Sequence, residues 1–137
     1  MIYRANIEVT APVKDTEVTD RVRDAIENLF PEIELTHQHG ELRGTTHSMA
    51  GFSEKLHEQA ILDTARGAFF GGQEGNRFSF DLKKQAAFKG IVNFAVGEPS
   101  ELGEIHVNIT VESPDPESFV DSVAPPTEDG RPVEPED

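Results

Sequence analysis

The residues that could hold a metal are His37 and His39, which flank Gln38. On a strand, side chains two positions apart share a face, so two imidazoles could meet one ion. His47 could join them across a hairpin. A zinc site needs three or four ligands and a supporting shell. With no Cys in the chain, solvated hairpin histidines are the simpler reading. His57 and His106 fall on polar faces and read the same way. Nucleophilic catalysis finds no support, because G-x-S-x-G, G-x-x-x-x-G-K-[ST] and G-x-G-x-x-G are all absent. The run Gly71-Gly72-Gln73-Glu74-Gly75 follows a helix, whose C-terminus repels phosphate. Carboxylates are so numerous that any acid–base pair would be arbitrary. The expectation is no catalytic residue, no metal and no cofactor.

Charge gives the sharper signal. Residues 66–89 hold Arg66, Arg77, Lys83, Lys84 and Lys89 against Glu74 and Asp81, a net of +3 in a chain of net −14. The remainder is therefore −17. Phe78, Phe80 and Phe88 are interleaved with this basic island. An arginine offers a planar fork to phosphate, and lysines supply point charges. Gln85 can both donate to and accept from a base edge. The small Ala86 and Ala87 allow close approach of a ligand or of another chain. The same facts fit a packed segment in which Arg66 holds backbone carbonyls, and both readings stay open.

Three stretches carry a resemblance. They are Ile61-Leu62-Asp63-Thr64-Ala65-Arg66, then Arg77-Phe78-Ser79-Phe80-Asp81-Leu82-Lys83-Lys84-Gln85-Ala86-Ala87-Phe88-Lys89-Gly90, then Leu102-Gly103-Glu104-Ile105-His106-Val107. Over residues 1–123 the chain resembles a small archaeal family of uncharacterised proteins described as RNA-binding domains. Members carry A-R on the second helix, F-x-L-N-K-Q-A-A, and an L-G-P-I strand opening. Lys83 stands where the family usually has Asn, and Glu104 where it usually has Pro. The resemblance implies a fold similar to that of ribosomal protein L-five and RNA as the partner.

The elements that must position these residues follow from periodicity. Tyr3, Ala5, Ile7, Val9, Ala11 and Val13 alternate with polar residues and predict a half-buried strand. Val18, Val22, Ala25, Ile26, Leu29 and Phe30 predict a helix face starting near Asp15 or Thr16 and stopped by Pro31. Residues 33–38 and 42–48 predict a hairpin around Gly40. One helix is expected over 53–70, capped by Ser53 and ended by Gly71-Gly72. Phe78, Phe80 and Leu82 predict a strand. Residues 90–96, apolar on both faces, predict a central strand. Ile105, Val107, Ile109 and Val111 predict another strand, and Phe119, Val120 and Val123 a short helix. The order does not alternate strand and helix strictly. It therefore predicts an α+β fold, an antiparallel or mixed sheet with helices packed on one face.

The chain has 137 residues with 12 bases, 26 acids and 36% hydrophobic residues. That suits one domain, over 1–123, followed by a flexible acidic tail over 124–137 with four Pro and no aromatic. No apolar run reaches the roughly 18 residues of a membrane span. The absence of Cys and of a secretory leader pattern points to the cytoplasm. The acid excess also fills residues 1–114, which fits a halophilic protein better than an acidic tail alone. A non-catalytic RNA-binding module is the first reading. An oligomeric scaffold, for example a homodimer, without a nucleic-acid role is the second. A metal-assisted hydrolase around His37 and His39 is the remote third.

Overall fold

A computed structural model describes residues 3–97, 100–128 and 131–132. The alternation read from the first strand sets the layout. In β1 (Arg4–Pro12), Ala5, Ile7, Val9 and Ala11 are fully buried while the residues between them are not. β1 lies between β3 (Glu41–Thr46) and β6 (Ile105–Ser113). Outside these stand β2 (Glu34–Gln38), β5 (Arg77–Leu82) and β4 (Gln73–Glu74). The order is β2-β3-β1-β6-β5-β4, and every neighbouring pair is antiparallel. A small pair of strands, β7 (Thr127–Glu128) and β8 (Arg131–Pro132), stands apart.

Among the described residues, five helices cover one face of the sheet. α1 (Thr19–Leu29) buries Val22, Ala25, Ile26 and Leu29. α2 (Ala50–Glu58) buries Phe52 and Leu56, and α3 (Leu62–Gly71) buries Leu62, Ala65 and Phe69. α4 (Lys84–Phe88) and α5 (Pro116–Val123) complete the layer. Aromatic rings fill the interface, with Phe30 stacked on Phe52 at 5.3 Å and Phe69 edge-on to Phe80 at 5.1 Å. The expected α+β architecture is thus present. No helix among the described residues is long and apolar enough to cross a membrane.

Several local expectations are corrected. The helix expected over 53–70 is two helices. Ala60 adopts φ +55°, with Ala60 N–H on His57 O and Ile61 N–H on Leu56 O, both at 3.1 Å. This pair of bonds is a Schellman closure without its usual glycine. Ser53 does not cap; its hydroxyl donates to Val123 O at 2.7 Å. α1 begins at Thr19, not near Asp15, because residues 14–17 form a turn first. Val18, expected to face inward, is 61% exposed.

The central strand expected over 90–96 is absent. That segment makes one bridge to β5, Leu82 with Phe94. The Gln59 side chain takes the place of a strand neighbour, bonding both the N–H and the C=O of Val92 at 2.8 and 2.9 Å. The start of the expected tail is packed: Ala124 is fully buried and Thr127 donates to Asp63 at 2.6 Å. Residues 129–130 and 133–137 of that tail lie outside the described residues.

Candidate nucleic-acid interface

The basic island occupies three separate places. Leu82 ends β5 in the core, and Lys83 leads into α4 with extended backbone and an exposed side chain. Within α4, Lys84 and Ala87 turn inward while Gln85 faces solvent. Residues four apart on a helix share a side, so Gln85 and the exposed Lys89 are neighbours. Lys83, Gln85 and Lys89 are all exposed, at the N-cap, within and at the C-cap of this short helix.

Lys84 corrects the expectation of a phosphate contact. Its ammonium donates to Pro12 O, to Leu102 O at 2.6 Å and to Glu17 Oε1 at 2.9 Å. An ammonium has three donors, and all three are used. The side chain is 2% exposed. Ala86 and Ala87 also serve packing: they let α4 sit close to α1, where the Asn28 amide donates to Ala87 O at 3.0 Å.

Arg66 and Arg77 lie elsewhere. Arg66, on α3, donates to Asp121 at 2.7 Å and to Ala124 O at 2.9 Å, and its guanidinium rests over Phe70. Both bonds come from Nη1 and join α3 to α5, in keeping with the packed alternative of the sequence reading. Arg77 is exposed at the start of β5, about 16 Å of strand away from the α4 end at 3.3 Å per residue. Its side is the outer face of the sheet, with Thr110 opposite.

Sequence reasoning missed Arg21. It is exposed on α1, and its guanidinium carbon lies 5.6 Å from the centre of the half-buried Phe88 ring. Only Phe88, as the aromatic beside Lys89, could have signalled this; nothing in the sequence pairs it with Arg21.

Among the described residues, no helix covers the outer face of the sheet. Asn6, Glu8 and Thr10 of β1 face Thr110, Asn108 and His106 of β6. His106 Nδ1 contacts Asp81 at 2.6 Å, and its Nε2 is 3.5 Å from the Ser79 hydroxyl. The order Asp–His–Ser is that of an acyl-transfer relay. The Ser79 N–H, however, is spent on Gly72 O at 3.1 Å, so it is not free to stabilise an oxyanion. A 720 Å³ recess over β2 and β3 is lined by Glu32, Glu34, Arg43 and His47 among others, a poor match for a polyanion.

The metal alternative loses its geometry. His39 is a turn residue at φ +53° beside Gly40 at φ +75°, a pairing typical of a tight hairpin turn. It does not share a strand face with His37. His37 lies opposite Leu42 at the turn, while His47 follows the far end of β3 and bonds Ala5 O at 3.0 Å. Among the described residues no group of three His, Asp or Glu is placed to hold an ion.

Comparison with known proteins gives the family and supports the fold. A family described as RNA binding matches residues 6–111. A UPF0201 protein of Thermococcus onnurineus is 38% identical, with 93% of this chain and 97% of that protein covered. A UPF0200/UPF0201 protein of Archaeoglobus fulgidus is also 38% identical, but the chain spans only 39% of its length. The crystal structure of the UPF0201 protein from Methanococcus jannaschii superposes with a TM-score of 0.87 at 36% identity, covering 94% of this chain and 99% of that one. With the match running from β1 into β6, the chain belongs to the archaeal UPF0201 family, whose family model is described as RNA binding.

Proposed function

We propose that this protein is a non-catalytic RNA-binding module whose contact surface is the α4 end, through Lys83, Gln85 and Lys89. The observation that carries the reading is the match to the family described as RNA binding, which spans this segment. In a chain of net −14, a polyanion must land where the sign reverses, and these exposed cations mark that place. Lys84 would support the surface from below by fixing α4. Arg66 and Arg77, drawn into the site by sequence, serve the α3–α5 junction and the sheet face in this reading. The expected likeness to ribosomal protein L-five points the same way.

The setting we propose is a salt-rich cytoplasm. Screening at molar salt weakens the self-repulsion of so acidic a chain, so the melting temperature should rise from low to molar KCl. A flat or falling curve overturns the halophilic part of the reading.

The test of the RNA reading is capture from native lysate at native salt, with nuclease treatment as control. RNA that co-purifies and disappears on nuclease treatment is expected. Protein partners that survive nuclease, together with a dimer in light scattering, would instead favour the scaffold reading, which draws on the uncovered sheet face.

A further inference from the structure

We propose that Phe88 and Arg21 form a stacking platform for a base of single-stranded RNA, flanked by Gln85 and Lys89. This rests on the RNA-binding reading and deepens it by naming the class of RNA. Phe88 is half-buried, so its ring is anchored in the domain while part of it reaches solvent. The Arg21 guanidinium, on an exposed side chain, lies within cation–π range of that ring at 5.6 Å. A guanidinium lying over a ring at the surface leaves its own outer face for a third flat group, a base, so that ring, cation and base stack in order. Gln85, one helical turn before Phe88 and Lys89, offers a donor and an acceptor to the base edge. Lys89 supplies a charge for the adjoining phosphate.

Single-stranded RNA suits this surface and a duplex does not. A base must expose its π face to stack on a side chain, and in a duplex those faces are already stacked. The A-form major groove is also too deep and narrow for side chains to read. Asp24 stands exposed one turn along α1 from Arg21. Its carboxylate would repel the second phosphate backbone that a duplex brings. The uncovered sheet face is a weaker candidate: outward-facing Asn6, Glu8, Thr10, Ser79, Asn108 and Thr110 carry no ring, and the imidazole of His106 beside them is held by Asp81 at 2.6 Å. Stacking also persists where molar salt has shortened the Debye length to about 3 Å.

The experiment titrates the full chain into a single-stranded oligonucleotide of about ten nucleotides carrying 2-aminopurine, and into the matching duplex. Anisotropy reads binding and 2-aminopurine emission reads stacking. We expect binding with quenched emission for the single strand and weaker binding for the duplex. Phe88→Leu, which keeps an apolar group in the pocket, should weaken binding by roughly tenfold and abolish the quench. Arg21→Gln, at an exposed position, should weaken binding while leaving the melting temperature unchanged, so the inference is tested even if Phe88→Leu unfolds. Lys14→Ala should match wild type. Binding without quench, equal binding of the duplex, or wild-type behaviour of Arg21→Gln overturns the platform and leaves the RNA reading standing. No binding to either RNA overturns the RNA reading itself.

Discussion

The Nζ of Lys84 lies 2.9 Å from Oε1 of Glu17, and the two side chains are only 2% and 7% exposed. Glu17 Oε1 also accepts from the Lys14 N–H at 3.0 Å, while Glu17 Oε2 is buried with no partner among the described residues. Through Lys84 this pair ties α4 to the end of β1, to the turn before α1 and to the segment that leads into β6. A lysine that looks like a ligand-binding charge in the sequence is thus the fastener of the surface beside it.

Removing one partner of a buried ion pair strands the other charge, at a cost of about 3–5 kcal/mol. Lys84→Met should therefore lower unfolding free energy by about that amount in urea titration. The double variant Lys84→Met/Glu17→Leu should recover a large part of it, because no charge is then left unpaired. A Lys84→Met protein as stable as wild type would show that the pair does not hold the domain together.

Ala60 occupies the left-handed region, φ +55°, at the closure between α2 and α3. A β-carbon there costs roughly 1 kcal/mol, which glycine avoids. Ala60→Gly gains in the folded state what it partly gives back through the freer unfolded chain. We expect a net stabilisation of roughly 0.5 kcal/mol, read as a higher denaturation midpoint at unchanged slope. Destabilisation would mean that the Ala60 methyl makes contacts worth more than its backbone strain.

Asp115 caps α5, accepting the Ser118 N–H and hydroxyl, both at 2.8 Å. The Ser118 N–H bond, then the hydroxyl bond, hold its carboxyl below the ordinary value of 3.8. A depressed folded value contributes stability that is present above the unfolded value and is lost as pH falls through the folded one. Asp115→Asn keeps an acceptor but removes the titration. The difference in melting temperature between the two proteins should be constant near neutrality. It should change as pH falls from about 5 through the acid range. A difference independent of pH would remove the charge from the account of this cap.

The fold was legible where each strand answers to local alternation. Ala5 to Ala11 and Ile105 to Val111 report their buried face at every second residue, and β1 and β6 pair in the middle of the sheet. Legibility failed where a distant group decides the outcome. Residues 90–96 read as a strand because both faces are apolar, yet Gln59 supplies the bonds a neighbouring strand would have made. The end of α2 at Ala60 carries no glycine to announce it. In the candidate site, Lys83, Gln85 and Lys89 were singled out by charge and composition, and the structure leaves their side chains exposed. Lys84 and Arg66 look the same by composition but are engaged within the protein. Their partners, Pro12 and Glu17 for one and Asp121 for the other, lie more than fifty positions away. Charge counting cannot see such partners.

Those placements separate two lysines and an arginine that the sequence treats alike. Each phosphate contact releases counterions and contributes roughly −0.7 to the logarithmic salt slope for single strands. Lys83→Ala and Lys89→Ala should each weaken RNA binding and flatten that slope by about one contact's worth. Arg77→Ala should leave both unchanged, because Arg77 faces outward from β5 beside Glu74 on β4, a strand's length from α4. Both lysines are exposed, so melting curves should match wild type and the slopes can be compared directly. If Arg77→Ala flattens the slope while Lys89→Ala does not, RNA lies on the sheet face and the α4 surface is structural.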